Sequence, residues 1–253
     1  MKKLTLFAFM LAGFLTQAQN NLTIEEATLA AQKGFGTKSI YGAQWRTTNE
    51  LTYIDASYRA LIAKNTNNTT VENFVKTADL ETAVGAAVNE KVSLRTMPFD
   101  YHWENEKEFS FTYHGENDKF FVIYNIDSKK VSKTIKFNSS SSEEIIATNK
   151  KFITYLNKNN VEIVFDSGDV VKVTNDPEHV INGSSNTHRN EFGIDRGMWI
   201  SPDNKKVLFY KKDERMVKNY PLVDFGARSA EEKLIKYPMA GMDSENVMLG
   251  IYD

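Results

Sequence analysis

From Tyr41 onward, apolar and polar residues repeat a pattern of a short apolar segment, a polar turn and a second apolar segment. Gln44-Trp45-Arg46 leads through Thr47-Thr48-Asn49-Glu50 into Leu51-Thr52-Tyr53-Ile54. Tyr101-His102-Trp103 leads through Glu104 to Lys107 into Phe109-Ser110-Phe111, and Ile145-Ile146-Ala147 through Thr148 to Lys151 into Phe152 to Tyr155. The last copy is Met198-Trp199-Ile200, Ser201-Pro202-Asp203-Asn204-Lys205-Lys206, then Val207 to Tyr210. Short apolar runs bounded by polar turns are a strand signature. The middle two copies continue into a further strand pair, Phe120 to Ile126 with Thr134 to Phe137, and Val161 to Phe165 with Val170 to Val173. Asp127-Ser128-Lys129 and Asp166-Ser167-Gly168 suit the connecting hairpins. The copies recur at roughly 45–60 residues, the spacing of four-stranded propeller blades. The expected fold class is all-β, a partial β-propeller of about four four-stranded antiparallel blades over residues 40–253. Trp45, Trp103 and Trp199 are expected to pack between blades, since an aromatic ring gains on the order of 2–3 kcal/mol from burial.

Three segments break the pattern. A short N-terminal helix is expected from Thr23, which can cap it, with Glu26 at the capping-box position, Ala27 to Ala31 continuing it and Gly34 ending it. Val71 to Asn89 reads as helical, an insertion within the first blade with Asp79 as its cap. Asn138 to Ser142, one Asn and four Ser, reads as a flexible loop between blades.

The first eighteen residues have a different character. Lys2 and Lys3 precede an apolar run from Leu4 to Leu15, and Ala18 is a small residue at the expected cut before Gln19. This is the form of a signal peptide over residues 1–18, too short in its apolar part to span a membrane in the mature protein. The expected protein is therefore exported, periplasmic or secreted, and bacterial by the form of the leader, with residues 19–253 forming the propeller portion. The chain carries 31 basic and 33 acidic residues, a net charge of −2. Loss of Lys2 and Lys3 moves this to −4, and no basic stripe remains to bind nucleic acid. With no cysteine in the chain, disulfides, thiol catalysis and cysteine zinc sites are excluded.

Familiar catalytic motifs are absent. No G-x-S-x-G elbow occurs; Gly183-Ser184-Ser185-Asn186 lacks the second glycine. The four histidines, His102, His114, His179 and His188, include no pair at metal-ligand spacing, and Asp166-Ser167-Gly168-Asp169 is too short for a calcium loop. Gly34-Phe35-Gly36-Thr37-Lys38-Ser39 lacks the glycine before its lysine that a phosphate loop needs. No cofactor and no metal are expected.

Four passages, in order, carry a family resemblance: Ile40-Tyr41-Gly42-Ala43-Gln44-Trp45; Asn157 to Ile163 continuing to Val173-Thr174-Asn175-Asp176 and Ile181-Asn182-Gly183; Glu191-Phe192-Gly193 with Arg196 and Trp199-Ile200-Ser201-Pro202-Asp203; and Lys236-Tyr237-Pro238-Met239-Ala240-Gly241 with Asn246 and Ile251-Tyr252-Asp253. Together they resemble the N-terminal propeller of the dipeptidyl peptidase IV family of secreted serine exopeptidases. That family's propeller is eight-bladed and accompanies an α/β-hydrolase domain that holds Ser, Asp and His. The resemblance implies the N-terminal half of such a propeller with no hydrolase domain in these 253 residues. A truncated gene, a pseudogene product or a protein completed by a partner would each account for that length. The missing partner would be the second propeller half or the hydrolase domain.

The resemblance also implies site residues. The family holds the substrate's free amino terminus between two adjacent glutamates, because paired carboxylates select a cationic amine. The matching positions here are Asn190 and Glu191, so one acid is missing, and Arg189 stands where it could pair with Glu191. A family arginine that binds the substrate carbonyl corresponds to His114. Two functions follow as expectations. One is the substrate-gating and recognition portion of an exported dipeptidyl-peptidase-like serine protease, active in proteolysis but not catalytic alone. The other is a standalone periplasmic propeller-like binding or scaffold protein. For Glu191, Asn190 and His114 the competing reading is an ordinary surface residue retained from an ancestor.

Overall fold

The computed structural model describes residues 23–29, 39–188 and 193–253, which fall into two compact units divided between Ile40 and Tyr41. In the first unit, α1 (Ile24–Thr28) is capped as expected: the Thr23 hydroxyl accepts from the Glu26 backbone N–H and the Glu26 carboxylate accepts from the Thr23 N–H. The helix closes at Leu29. The leader and the glycine-rich Gly34–Lys38 stretch lie outside the described residues.

The second unit is a series of antiparallel sheets. Sheet 1 contains β1 (Tyr41–Thr47), β2 (Glu50–Ile54), β3 (Ala60–Asn65) and β4 (Thr70–Lys76), paired in chain order. Sheet 2 repeats this with β5 (His102–Trp103), β6 (Glu108–His114), β7 (Asp118–Asn125) and β8 (Lys130–Asn138). Sheet 3 does so with β9 (Ser142–Ile146), β10 (Phe152–Asn157), β11 (Asn160–Phe165) and β12 (Val170–Lys172). The hairpin turns require left-handed residues, supplied by Lys129 at φ +53° and Gly168 at φ +92°.

Sheet 4 departs from this scheme. In β15 (Val207–Asp213), residues 207–209 pair with β14 (Met198–Ile200) and residues 211–213 with β13 (Val180–Asn182), so those two strands lie end to end along one edge. β18 (Asn246–Tyr252) covers the other edge over its whole length. The chain between β15 and β18 forms a separate hairpin of β16 (Asn219–Asp224) and β17 (Glu231–Lys236). Sheet 4 is thus three strands wide where four were expected.

Neighbouring sheets stack face to face: β1 lies beside β5, β8 against β10 and β11, and β9 beside β14. This stacking explains the composition of the central strands. Phe120, Val122 and Tyr124 on β7 join the core shared with sheet 1, while Phe121 and Ile123 face sheet 3 with Ile135, Phe137, Ile153 and Tyr155. A strand buried on both faces reads as a continuous apolar run rather than an alternation. Two smaller clusters join sheets 3 and 4, one around Phe152, Ile163 and Val207, the other around Leu156, Val161, Met198 and Phe209.

Three expectations need correction. Residues 71–76 are not helical: they belong to β4, which pairs with β3 through Leu61 and Val75. The helix α2 (Thr77–Val88) follows that strand and so lies after sheet 1 rather than within it; it buries Leu80, Ala83 and Val84 in the first core. Asp79 sits in its first turn and accepts from the Lys76 N–H at 3.1 Å, satisfying an otherwise orphaned donor. The Asn138–Ser142 stretch is not a free loop. Ser141 is buried, its carbonyl accepts from Lys119 Nζ, and Ser142 already opens β9. Trp103 is a core residue, but Trp45 is 61 % exposed. Its neighbours Gln44 and Arg46 are the residues that reach sheet 2, through the Tyr101 and Glu106 carbonyls, so the alternation of the strand turns Trp45 away. Trp199 is half-buried and packs edge-on against Tyr210 on the face of sheet 4 opposite the Met198 cluster.

Candidate recognition cleft between sheets 3 and 4

The chain leaves the sheet after β13 and re-enters it at β14, and both ends of this excursion meet at Tyr210. Gly183 N–H donates to the Tyr210 carbonyl at 2.7 Å, and Tyr210 N–H donates to the Gly197 carbonyl at 3.0 Å. The neck is closed by glycine. A Cβ on Gly197 would lie 2.4 Å from the Gly183 carbonyl oxygen, and Gly183 holds φ +67° with Met198 against its α-carbon. Below the neck, fully buried Asn182 donates to the Asn159 carbonyl and to Asp176, which also pairs with Lys211 at 2.8 Å. These donations from the buried amide nitrogen tie β13 to the β10–β11 turn, while the amide oxygen stays buried without a hydrogen-bond partner among the described residues. Within the excursion, Ser185–His188 forms a single 3-10 turn.

Beside the neck opens a cleft of about 390 Å³ lined by Glu143, Glu144, Ser185, Asp195, Arg196 and Met198, among others. Two of its carboxylates come from a β-bulge. Ile145 pairs with Thr154 and Ser142 with Leu156, so Glu143 and Glu144 together oppose Tyr155 alone. Glu143 has φ +54°, the left-handed conformation that such a bulge usually gives to glycine. Adjacent strand residues ordinarily point to opposite faces; here both glutamates line the same cleft.

The two carboxylates have different partners. Glu143 accepts from the Ser185 N–H at 2.8 Å and from the Ser185 hydroxyl at 2.9 Å. Glu144 accepts from Lys119 Nζ and from the Ser141 hydroxyl, each at 2.7 Å. Burial alone would raise the Glu144 carboxyl, but these two hydrogen bonds and the Lys119 charge outweigh it and hold the group below the ordinary carboxylate range. Asp195 is exposed at the rim, with Arg196 Nε at 3.4 Å. Glu143 is taken up by Ser185, Glu144 by Lys119 and Asp195 by Arg196, so the opening has three carboxylates and two cations about it and keeps a small excess of negative charge.

His114 ends β6, is exposed, and lines a separate depression of about 270 Å³ with Arg95, Asp100 and Thr112. This depression shares no lining residue with the Glu143 cleft. His114 nonetheless pairs directly with Lys119 across the hairpin, and Lys119 reaches Glu144. Asn190 and Glu191, like Arg189, lie outside the described residues. Among the described residues, no group of three or more His, Asp or Glu side chains could hold a metal ion. Glu143, Glu144, Ser185 and Lys119 were not singled out from the sequence. The Glu143-Glu144 doublet after the serine run was visible there, but only the bulge brings both acids to one side.

Successive antiparallel sheets stacked face to face, three of them four-stranded, define this protein as part of a β-propeller. Residues 103–253 match the family model of the dipeptidyl peptidase IV (DPP IV) N-terminal region, and the chain belongs to that family. Among solved structures, it is similar to a Bacteroides ovatus protein assigned as a dipeptidyl aminopeptidase IV, with 28 % identity and a TM-score of 0.68 over 85 % of this chain. It also shares the fold of Porphyromonas gingivalis dipeptidyl peptidase 4, with 16 % identity and a TM-score of 0.58 over 93 % of this chain. The chain spans 29 % and 34 % of the lengths of these two proteins.

Proposed function

We propose that this chain is the substrate-gating and recognition portion of an exported dipeptidyl-peptidase-IV-like serine protease, acting in proteolysis but not catalytic on its own. Its role is to take the free amino terminus of a peptide at the cleft between sheets 3 and 4. The observation that carries this reading is the carboxylate-lined cleft at the neck of the excursion that bears Asn190 and Glu191. Membership of the dipeptidyl peptidase IV N-terminal family supports this reading. Glu191 contributes the acid retained at the amine position, whereas His114, matched by resemblance to the carbonyl-binding residue, lines a separate depression and bears on this cleft only through its strand neighbour Lys119. Uncovered apolar residues on sheet 4, among them Leu249 and Ile251, and exposed Trp45 on sheet 1 suit contact with further propeller sheets or a hydrolase domain.

The test is binding of two versions of one Ala-Pro-containing peptide, with a free and with an acetylated amino terminus, measured by calorimetry. The free peptide should bind and the acetylated one should not; equal binding, or none of either, rejects the reading. The purified chain should release no dipeptide from an Ala-Pro chromogenic substrate, and turnover blocked by a serine-directed inhibitor would contradict the non-catalytic assignment. Among the described residues no helix is long and apolar enough to cross a membrane. Export is tested by bacterial expression and N-terminal sequencing, which should find Gln19 first.

A further inference from the structure

We propose that Glu143 is a positioning residue, which clamps the Ser185–His188 turn to sheet 3 and so sets the wall of the recognition cleft. This deepens the proposed amine-binding role and rests on it. Three observations converge on Glu143. It occupies the left-handed position of a β-bulge at φ +54°, a conformation that costs an L-residue roughly 1–2 kcal/mol and is tolerated where the surroundings enforce it. Both of its carboxylate oxygens are engaged, one by the Ser185 N–H and one by the Ser185 hydroxyl. These bonds are the direct link between the bulge and the turn, spanning 42 residues of sequence. Bulges recur beside functional sites, where they re-aim a side chain. Here the re-aimed side chain does not face a ligand; it holds the segment that borders the cleft. Glycine would suit the backbone at position 143 better, so a glutamate there points to a use for the carboxylate.

The prediction separates backbone from side chain. Glu143→Gly keeps the bulge, relieves the left-handed strain and removes the clamp. Glu143→Gln retains one acceptor oxygen and the geometry to reach Ser185. In hydrogen exchange followed by mass spectrometry, Glu143→Gly should speed exchange of the 184–188 amides by roughly ten- to a hundredfold, the loss expected for a charge-assisted pair of bonds. Glu143→Gln should give a smaller increase, and the β10–β11 amides should remain protected in both. The free-amine peptide should bind Glu143→Gly at least tenfold more weakly, with Glu143→Gln between it and the wild type. Unchanged exchange in Glu143→Gly overturns the clamp. Faster exchange with unchanged peptide affinity overturns its role in the cleft. If the wild type binds no peptide, the amine-site reading fails while the exchange result still decides the clamp.

Discussion

One buried hydroxyl sits at the centre of the polar contacts between sheets 1 and 2. Thr52 is fully buried, and its Oγ1 accepts from Trp103 Nε1 at 2.7 Å, donates toward the Gln44 carbonyl at 3.2 Å and lies 3.2 Å from the Tyr101 hydroxyl. Thr52→Val keeps the shape and removes the oxygen. Tyr101 retains the Gly42 carbonyl as its acceptor at 2.5 Å, so the main loss is the Trp103 N–H, left without a partner at a residue only 8 % exposed. An unsatisfied buried donor costs about 1–3 kcal/mol, so the expected destabilisation is about 2 kcal/mol. For a domain of this size that is roughly a 4–8 °C fall in Tm. Thr52→Ser keeps the oxygen and should cost about 1 kcal/mol for the lost methyl group. Urea unfolding followed by tryptophan fluorescence measures both. The decisive comparison is a double-mutant cycle: in a Trp103→Phe background the donor is gone, and Thr52→Val should cost at least about 1 kcal/mol less than in the wild type. Additive effects, or a Thr52→Val cost below about 0.5 kcal/mol, would refute the idea that this hydroxyl joins the sheets.

Further outcomes follow from other parts of the fold. Gly197→Ala should destabilise by about 1–3 kcal/mol or more, the usual cost of overpacking, because the new Cβ meets backbone at 2.4 Å; an unchanged Tm would show that the neck can open freely. Stability should fall above pH 10. Burial raises the Tyr101, Tyr124 and Tyr155 hydroxyls, Tyr124 to about 12 with help from the Asp79 charge, and Tyr155 further through Glu162. The unfolded chain loses these protons first, so each group removes about 1.4 kcal/mol per pH unit until its folded pKa is reached. Unfolding midpoints that stay flat from pH 9.5 to 11.5 would contradict this. Ile251→Lys should leave Tm unchanged, since Ile251 is 68 % exposed, and reduce self-association in sedimentation velocity; a large fall in Tm would mean that the outer face of sheet 4 is covered.

The local strand-turn-strand units were legible in the sequence because each is written in contiguous residues. Alternation in Phe109 to Phe111, the Asp166-Ser167-Gly168 turn and the Thr23–Glu26 cap all act within a few positions. The order of the blades and the family resemblance rest on the same local text. Three features depended on neighbours distant in the chain. Residues 71–76 and the helix after them form one apolar-rich run, and it is the ladder to β3 that makes the first part a strand. Trp45 and Trp103 occupy equivalent places in their copies, yet only Trp103 has a sheet in front of it. The Glu143-Glu144 doublet acquires its meaning from register: two residues facing Tyr155 alone produce the bulge, and the bulge turns both acids toward the cleft. Sequence period decides which residues share a strand face, but only the packed sheets decide which faces are covered and which carboxylates converge.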